Sequence, residues 1–101
     1  MSFAYEEMRV INWARERGIY ESSNAQAQFL KGTSEWGELA DALAKGNMDD
    51  TRDAVGDVLV CMINMCQFLD IDMTECLRQS VEVISKRKGK MVGGVFVKES
   101  A

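Results

Sequence analysis

A chain of 101 residues has room for one domain, and its 47% hydrophobic and 28% charged content is too apolar for disorder. A net charge of −4 gives no long-range attraction to a phosphate backbone, so general nucleic-acid binding is disfavoured. The sequence has no histidine, which excludes histidine-based triads, H-E-x-x-H zinc sites and Glu-x-x-His di-iron sites, and leaves carboxylates, Lys and Arg to carry any chemistry.

Proline is absent, and Gly, Asn, Asp and Ser punctuate four helical segments. The first spans about 3–17, with Met8, Ile11 and Ala14 or Arg15 at helical spacing, Trp13 on the flank of that stripe and Gly18 as a natural stop. Its acidic start lacks the apolar run of a signal peptide, and a cytoplasmic protein is expected. The second spans about 24–45, opened by Ser23 or Asn24 and stopped by Gly46-Asn47. Phe29, Thr33, Trp36, Ala40 and Leu43 form its stripe.

The third helix follows an Asp49-Asp50-Thr51 cap and spans about 50–69. From Val55 to Leu69 it is apolar on nearly every side, which predicts burial on all sides and neighbours on both flanks, a second subunit among them. That stretch is too short to span a bilayer and carries Asp57, Asn64 and Gln67, so no membrane association is expected. The fourth helix spans about 73–88 behind an Asp72 capping box, with a stripe of Met73, Leu77, Val81 and Ile84 and a basic end at Lys86-Arg87-Lys88. The tail, 89–101, contains Gly93-Gly94 and forms either a short hairpin or an extended arm. Cys61, Cys66 and Cys76 are odd in number, lack C-x-x-C spacing and read as reduced packing residues. The whole chain, 1–101, reads as one all-α four-helix domain, small enough that homo-oligomerisation is expected.

Two pairs of carboxylates stand out. Glu35 and Glu38 share a helix face, with Lys31 one turn earlier, and Asp53 and Asp57 share a face of the next helix. Asp57 is the most informative, because an ionised carboxylate inside an apolar segment is costly unless paired or bound to a cation. Two such pairs facing each other across antiparallel helices repel, and a divalent cation turns the repulsion into attraction. Hard oxygen donors suit Mg²⁺ or Mn²⁺. Each feature also has a plainer reading: Glu-x-x-Glu as a solvated face, Asp53 as an exposed residue or partner of Arg52 or Lys45, Asp57 paired with Lys31 or Arg52, and Lys86 to Lys90 as a solvated helix end.

The segment Gln26-Ala27-Gln28-Phe29-Leu30-Lys31-Gly32-Thr33-Ser34-Glu35-Trp36-Gly37-Glu38-Leu39, followed by Asp53-Ala54-Val55-Gly56-Asp57-Val58-Leu59, resembles the MazG-like nucleoside triphosphate pyrophosphohydrolases. The ending from Arg87 to Lys98 looks like that of the short, phage-type members. The resemblance implies an all-α bundle assembling at least as a dimer, with Mg²⁺ as cofactor and Mn²⁺ as a possible substitute. The implied reaction converts an NTP or dNTP to the monophosphate and pyrophosphate; a phage origin would place it in the host cytoplasm. Glu35 and Glu38 match the first motif, Asp57 matches the last ligand, and Lys31 matches a lysine often found one turn earlier. Ala54 stands where the family carries Glu, and Asp53 is the candidate replacement ligand.

On this reading Glu35 or Glu38 acts as general base. Lys31 with Lys86, Arg87 or Lys90 stabilises phosphate charge. Gln28, Trp13, Trp36 and Asn64 are candidates to meet the base. The alternatives are a catalytically weakened relative that binds nucleotide or a protein partner, motivated by Ala54, and a structural helical module with the carboxylates in ion pairs.

Overall fold

The computed structural model describes residues 1–99. It carries five helices and a hairpin: α1 (Phe3–Glu16), α2 (Ile19–Ser22), α3 (Ala25–Lys45), α4 (Met48–Leu69), α5 (Met73–Ile84), β1 (Gly89–Val92) and β2 (Val95–Lys98). Two compact units divide the chain, one spanning Met1–Ile71 and the other beginning at Asp72. Among the described residues no single helix is long and apolar enough to cross a membrane.

In the first unit side chains cap α1, α3 and α4, and of these caps Asn24 is the one expected from the sequence. The Tyr5 N–H donates to Ser2 Oγ at 3.2 Å, and the Ala27 N–H donates to Asn24 Oδ1 at 2.8 Å. Gly46, at φ 68°, closes α3 in the left-handed conformation. Asn47 then caps α4 by accepting the Asp50 N–H at 3.0 Å, so this helix starts ahead of the expected Asp49-Asp50-Thr51 cap. A connection this short makes α3 and α4 antiparallel neighbours. The extra helix α2 is a single turn that follows Gly18 (φ 75°). The Tyr20 hydroxyl ties it to α4 by donating to Asn64 Oδ1 at 2.7 Å, and the Tyr20 ring meets Phe68 edge-on with centroids 5.3 Å apart.

The buried face of α3 differs from the one its apolar stripe predicts. Glu35, Leu39 and Ala42 are buried, whereas Phe29, Thr33, Trp36, Ala40 and Leu43 are exposed. The cause is close helix contact through small residues: a Cβ built on Gly32 would lie 3.4 Å from Cys61 Cβ. With the glycine side of α3 against α4, the large side chains turn outward. Of α4, expected to be buried all round with neighbours on both flanks, a second subunit among them, one copy of the chain covers only part. Ala54, Cys61, Ile63, Asn64 and Cys66 are buried, while Val55, Leu59, Met62 and Leu69 are exposed. From α1, which packs on α4, Ile11 and Ala14 complete a thin core.

The second unit opens with Asp72, whose carboxylate accepts the Thr74 and Glu75 N–H groups. Helix α5 ends at Ile84, short of the expected residue 88. The Lys86 and Arg87 N–H groups bond back to Val83 and Ile84, a tightening to i+3 contacts that leads out of the helix. Lys86, Arg87 and Lys88 therefore lie beyond it. Cys76, Leu77, Val81 and Ile84 are exposed, which corrects the reading of Cys76 as a packing residue. Of the two forms open for the tail, the hairpin is found, pairing Gly89 with Lys98 through Val92 with Val95. Gly93 (φ 56°) and Gly94 (φ 85°) supply the two positive φ angles of a type I′ turn.

Candidate active site

The carboxylate group lies on the facing helices α3 and α4. Glu35 is only 6% exposed, although it sits on the contact side of α3. Its Oε1 meets the Lys31 Nζ at 3.2 Å across one helical turn. Its Oε2 is buried without a hydrogen-bond partner among the described residues. Glu38 has its pKa raised, first by the hydrogen bond shared with Glu35 and then by the Glu35 charge. Glu35 is held low, by that same bond and by Lys31. The shared bond and the like charges pull the two carboxyls apart, Glu35 towards the ionised form and Glu38 towards the protonated one.

From α4, Asp57 is half-buried. Burial raises its pKa, and the charges of Asp53 and Glu35 raise it further, against a smaller opposing effect of Lys31. The Cys61 thiol, one turn on, is pushed up by its burial and by Glu35. Asp53 is exposed and lines an acidic groove of about 240 Å³ with Glu38, Asp41, Asp50, Lys45 and Ala54. Ala54, 4% exposed, forms part of that wall. Among the described residues no three carboxylates or thiols converge, as placed, into a group able to hold a metal ion.

Within the first unit, the other predicted residues line different surfaces. Trp13 lines a groove of about 640 Å³ between α1 and α4, and Asp57 contributes to the same wall. Gln28 and Trp36 border a crevice of only about 60 Å³ on the α3–α4 pair, and Gln28 donates to Ser23 Oγ at 3.2 Å. Asn64, expected to meet substrate, is 1% exposed and committed to Tyr20. It acts as the anchor of α2. Lys86, Arg87 and Lys90 belong to the second unit and are exposed, with Lys86 Nζ 3.9 Å from Glu82 Oε2. Sequence reasoning missed Glu6 and Glu7, which line the α1–α4 groove, and Asp41 and Asp50 of the acidic groove. The i, i+3 and i+4 spacing of Phe3, Glu6, Glu7, Val10 and Trp13 was the available signal.

A family model, the MazG nucleotide pyrophosphohydrolase domain, matches residues 24–92. The chain belongs to this family. The MazG match includes Lys31, Glu35, Glu38, Asp53 and Asp57 and leaves α1 outside. The chain is also similar to an uncharacterized 18.2 kDa protein in the rep-hol intergenic region of Haemophilus phage HP1, at 38% identity over 60 residues. That alignment covers 59% of this chain and 37% of the phage protein, so the chain spans little more than a third of its relative's length. No solved structure matches.

Proposed function

We propose that this MazG domain is a divalent-metal-dependent hydrolase that converts an NTP or dNTP to the monophosphate and pyrophosphate. The observation that carries the reading is the buried Glu35 carboxylate, whose Oε2 lacks a donor within a group of mutually repelling acids. A purely structural module has no use for such a group, because leaving a buried charge half-satisfied costs stability. An all-oxygen donor set of this kind fits Mg²⁺, with Mn²⁺ as a substitute.

Glu35, Glu38 and Asp57 would hold the cation, with Asp53 in the place left by Ala54. When bound, the cation neutralises the triphosphate and lowers the pKa of a water. The chain's own residues do the rest. Glu35 or Glu38, whichever stands at the edge of the site, would act as general base. Lys31 offers its ammonium to a phosphate oxygen once Glu35 is neutralised by another charge. Lys86, Arg87 and Lys90 are proposed as further phosphate contacts on the strength of the sequence resemblance alone.

Pyrophosphate release measured across the NTPs and dNTPs tests this reading. Turnover that requires Mg²⁺ or Mn²⁺ is expected, and no release with either metal would end the enzyme reading. Ala54 supports a second reading, a relative that binds nucleotide without efficient turnover; thermal stabilisation by nucleotide without release would favour it. Ala54→Glu separates the roles of position 54. It adds a charge beside Glu38 and Asp53, so the metal-free protein should melt several degrees lower, and Mg²⁺ should raise the melting temperature more than in the parent. A lower melting point that Mg²⁺ leaves unchanged would show that position 54 does not reach the cation.

A further inference from the structure

The groove between α1 and α4, about 640 Å³, is used so far only through Asp57 at its wall. We infer that this groove seats the base of the nucleotide and that Glu7 on its rim selects guanine. The inference rests on the nucleotide reading above, because Asp57 joins the groove to the carboxylate group that would face the phosphates.

Size is the first argument. Small-molecule sites span roughly 300–1,000 Å³, and this groove falls within that range. The rival seat beside Trp36 and Gln28 has about 60 Å³, enough for a water or two but not for a base, given about 30 Å³ per water. Lining is the second. Trp13 offers an indole face for stacking, and Val10, Leu59 and Ile63 supply apolar surface.

The third argument is the polar rim. Glu6 is bound to Arg9 at 2.8 Å, whereas the half-buried Glu7 carboxylate has no hydrogen bond or ion pair among the described residues. A carboxylate only accepts hydrogen bonds, and it accepts best from two parallel N–H groups. Guanine presents its N1–H and N2–H side by side. Adenine and cytosine present a single amino group, and the one N–H of uracil or thymine lies between two carbonyl oxygens that repel a carboxylate. The order expected is guanine first and uracil or thymine last. Both Trp13 and Glu7 precede residue 24, where the family match begins, so the proposed selection belongs to this chain's own α1.

The test uses the full chain carrying Trp36→Phe, which leaves Trp13 as the sole tryptophan. GMP, AMP, CMP and UMP are titrated without metal while Trp13 fluorescence is followed. GMP should quench at a concentration at least about tenfold below UMP, the equivalent of one strong hydrogen bond. Glu7→Gln should keep the quenching and bring the GMP/UMP ratio close to one. Gly56→Leu should remove the quenching altogether. Gly56 lines the groove, and a Cβ built on it meets nothing within 4 Å, so leucine fills the space and favours the helix.

Equal quenching by all four, no quenching at millimolar nucleotide, or an unchanged ratio in Glu7→Gln would overturn the inference. So would a Gly56→Leu protein that still quenches but sediments differently, since a second copy would then occupy the groove. If Gly56→Leu fails to fold, the Glu7→Gln ratio decides alone. Pyrophosphate release from the parent chain, with Trp36 in place, keeps the two claims apart. Release without base discrimination overturns the base seat and leaves the hydrolase reading standing. Discrimination without release supports the seat and removes the hydrolase reading.

Discussion

Asp57→Asn should lower metal-dependent turnover by about 10²–10³-fold or more while raising the melting temperature of the metal-free protein by a few degrees. The two effects have one cause. Burial and the charges of Asp53 and Glu35 raise the Asp57 pKa, so in the absence of a cation its ionised form is disfavoured in the fold. A carboxyl whose folded pKa lies above its unfolded value contributes stability below the unfolded pKa and loses it as pH rises through the folded one. At neutral pH the ionised Asp57 is therefore a liability, which asparagine, nearly isosteric and uncharged, removes. In acid, where Asp57 is protonated, the parent and variant should melt together. Thermal melts in chelator across the pH range, set beside pyrophosphate release with Mg²⁺, measure both effects. A variant that melts lower at neutral pH and still turns over would show that Asp57 is an ordinary structural residue. A gain in stability with a loss of function is what a site selected for cation binding should give.

The elements that sequence placed well are those with local physical causes. Asn24, Gly46 and Asp72 act as caps because their side chains or φ freedom satisfy nearby backbone groups, and nothing distant is needed to see this. The spacing of Glu35 and Glu38, and of Asp53 and Asp57, likewise follows from one turn of helix. The buried face of α3 did not follow. Its stripe of Phe29, Trp36 and Leu43 is the more hydrophobic side, yet Gly32 and Ala42 let α4 approach the other side, which brings Glu35 inside. Hydrophobic periodicity ranks faces by what they gain on burial; in a two-helix contact, shape decided which face was used. Helix α2 was invisible because one turn has no period, and its anchor, Tyr20 on Asn64, spans 44 positions of chain. The groove holding Trp13, Glu7 and Asp57 exists only once α1 lies on α4, so its lining was legible as a helix face but not as a site.

The outward stripe of α3 leads to the last expected result. We propose that it is the face on which two copies of this chain meet, and Trp36→Glu combined with Leu43→Glu should convert the assembly to monomer. Phe29, Trp36 and Leu43 retain 58%, 58% and 62% of their exposure. Phe29 and Trp36 line one crevice with the exposed Met62 of α4, and such an apolar face is one that a monomer in water rarely keeps. Burying each large side chain contributes roughly 1.5–3 kcal/mol. In a chain this short about 1 kcal/mol moves the melting temperature by 4–8 °C, so the double variant should melt more than about 10 °C lower. Sedimentation gives the subunit count, and the parent's melting temperature should rise with protein concentration while the variant's does not. A parent that sediments as a monomer at all concentrations removes the proposal, and a double variant that still self-associates moves the interface elsewhere. Trp36 also follows Glu35 directly in the chain. A partner that covers Trp36 therefore fixes the turn of helix that positions the buried carboxylate, and the monomeric variant should bind Mg²⁺ more weakly even though it alters no proposed ligand.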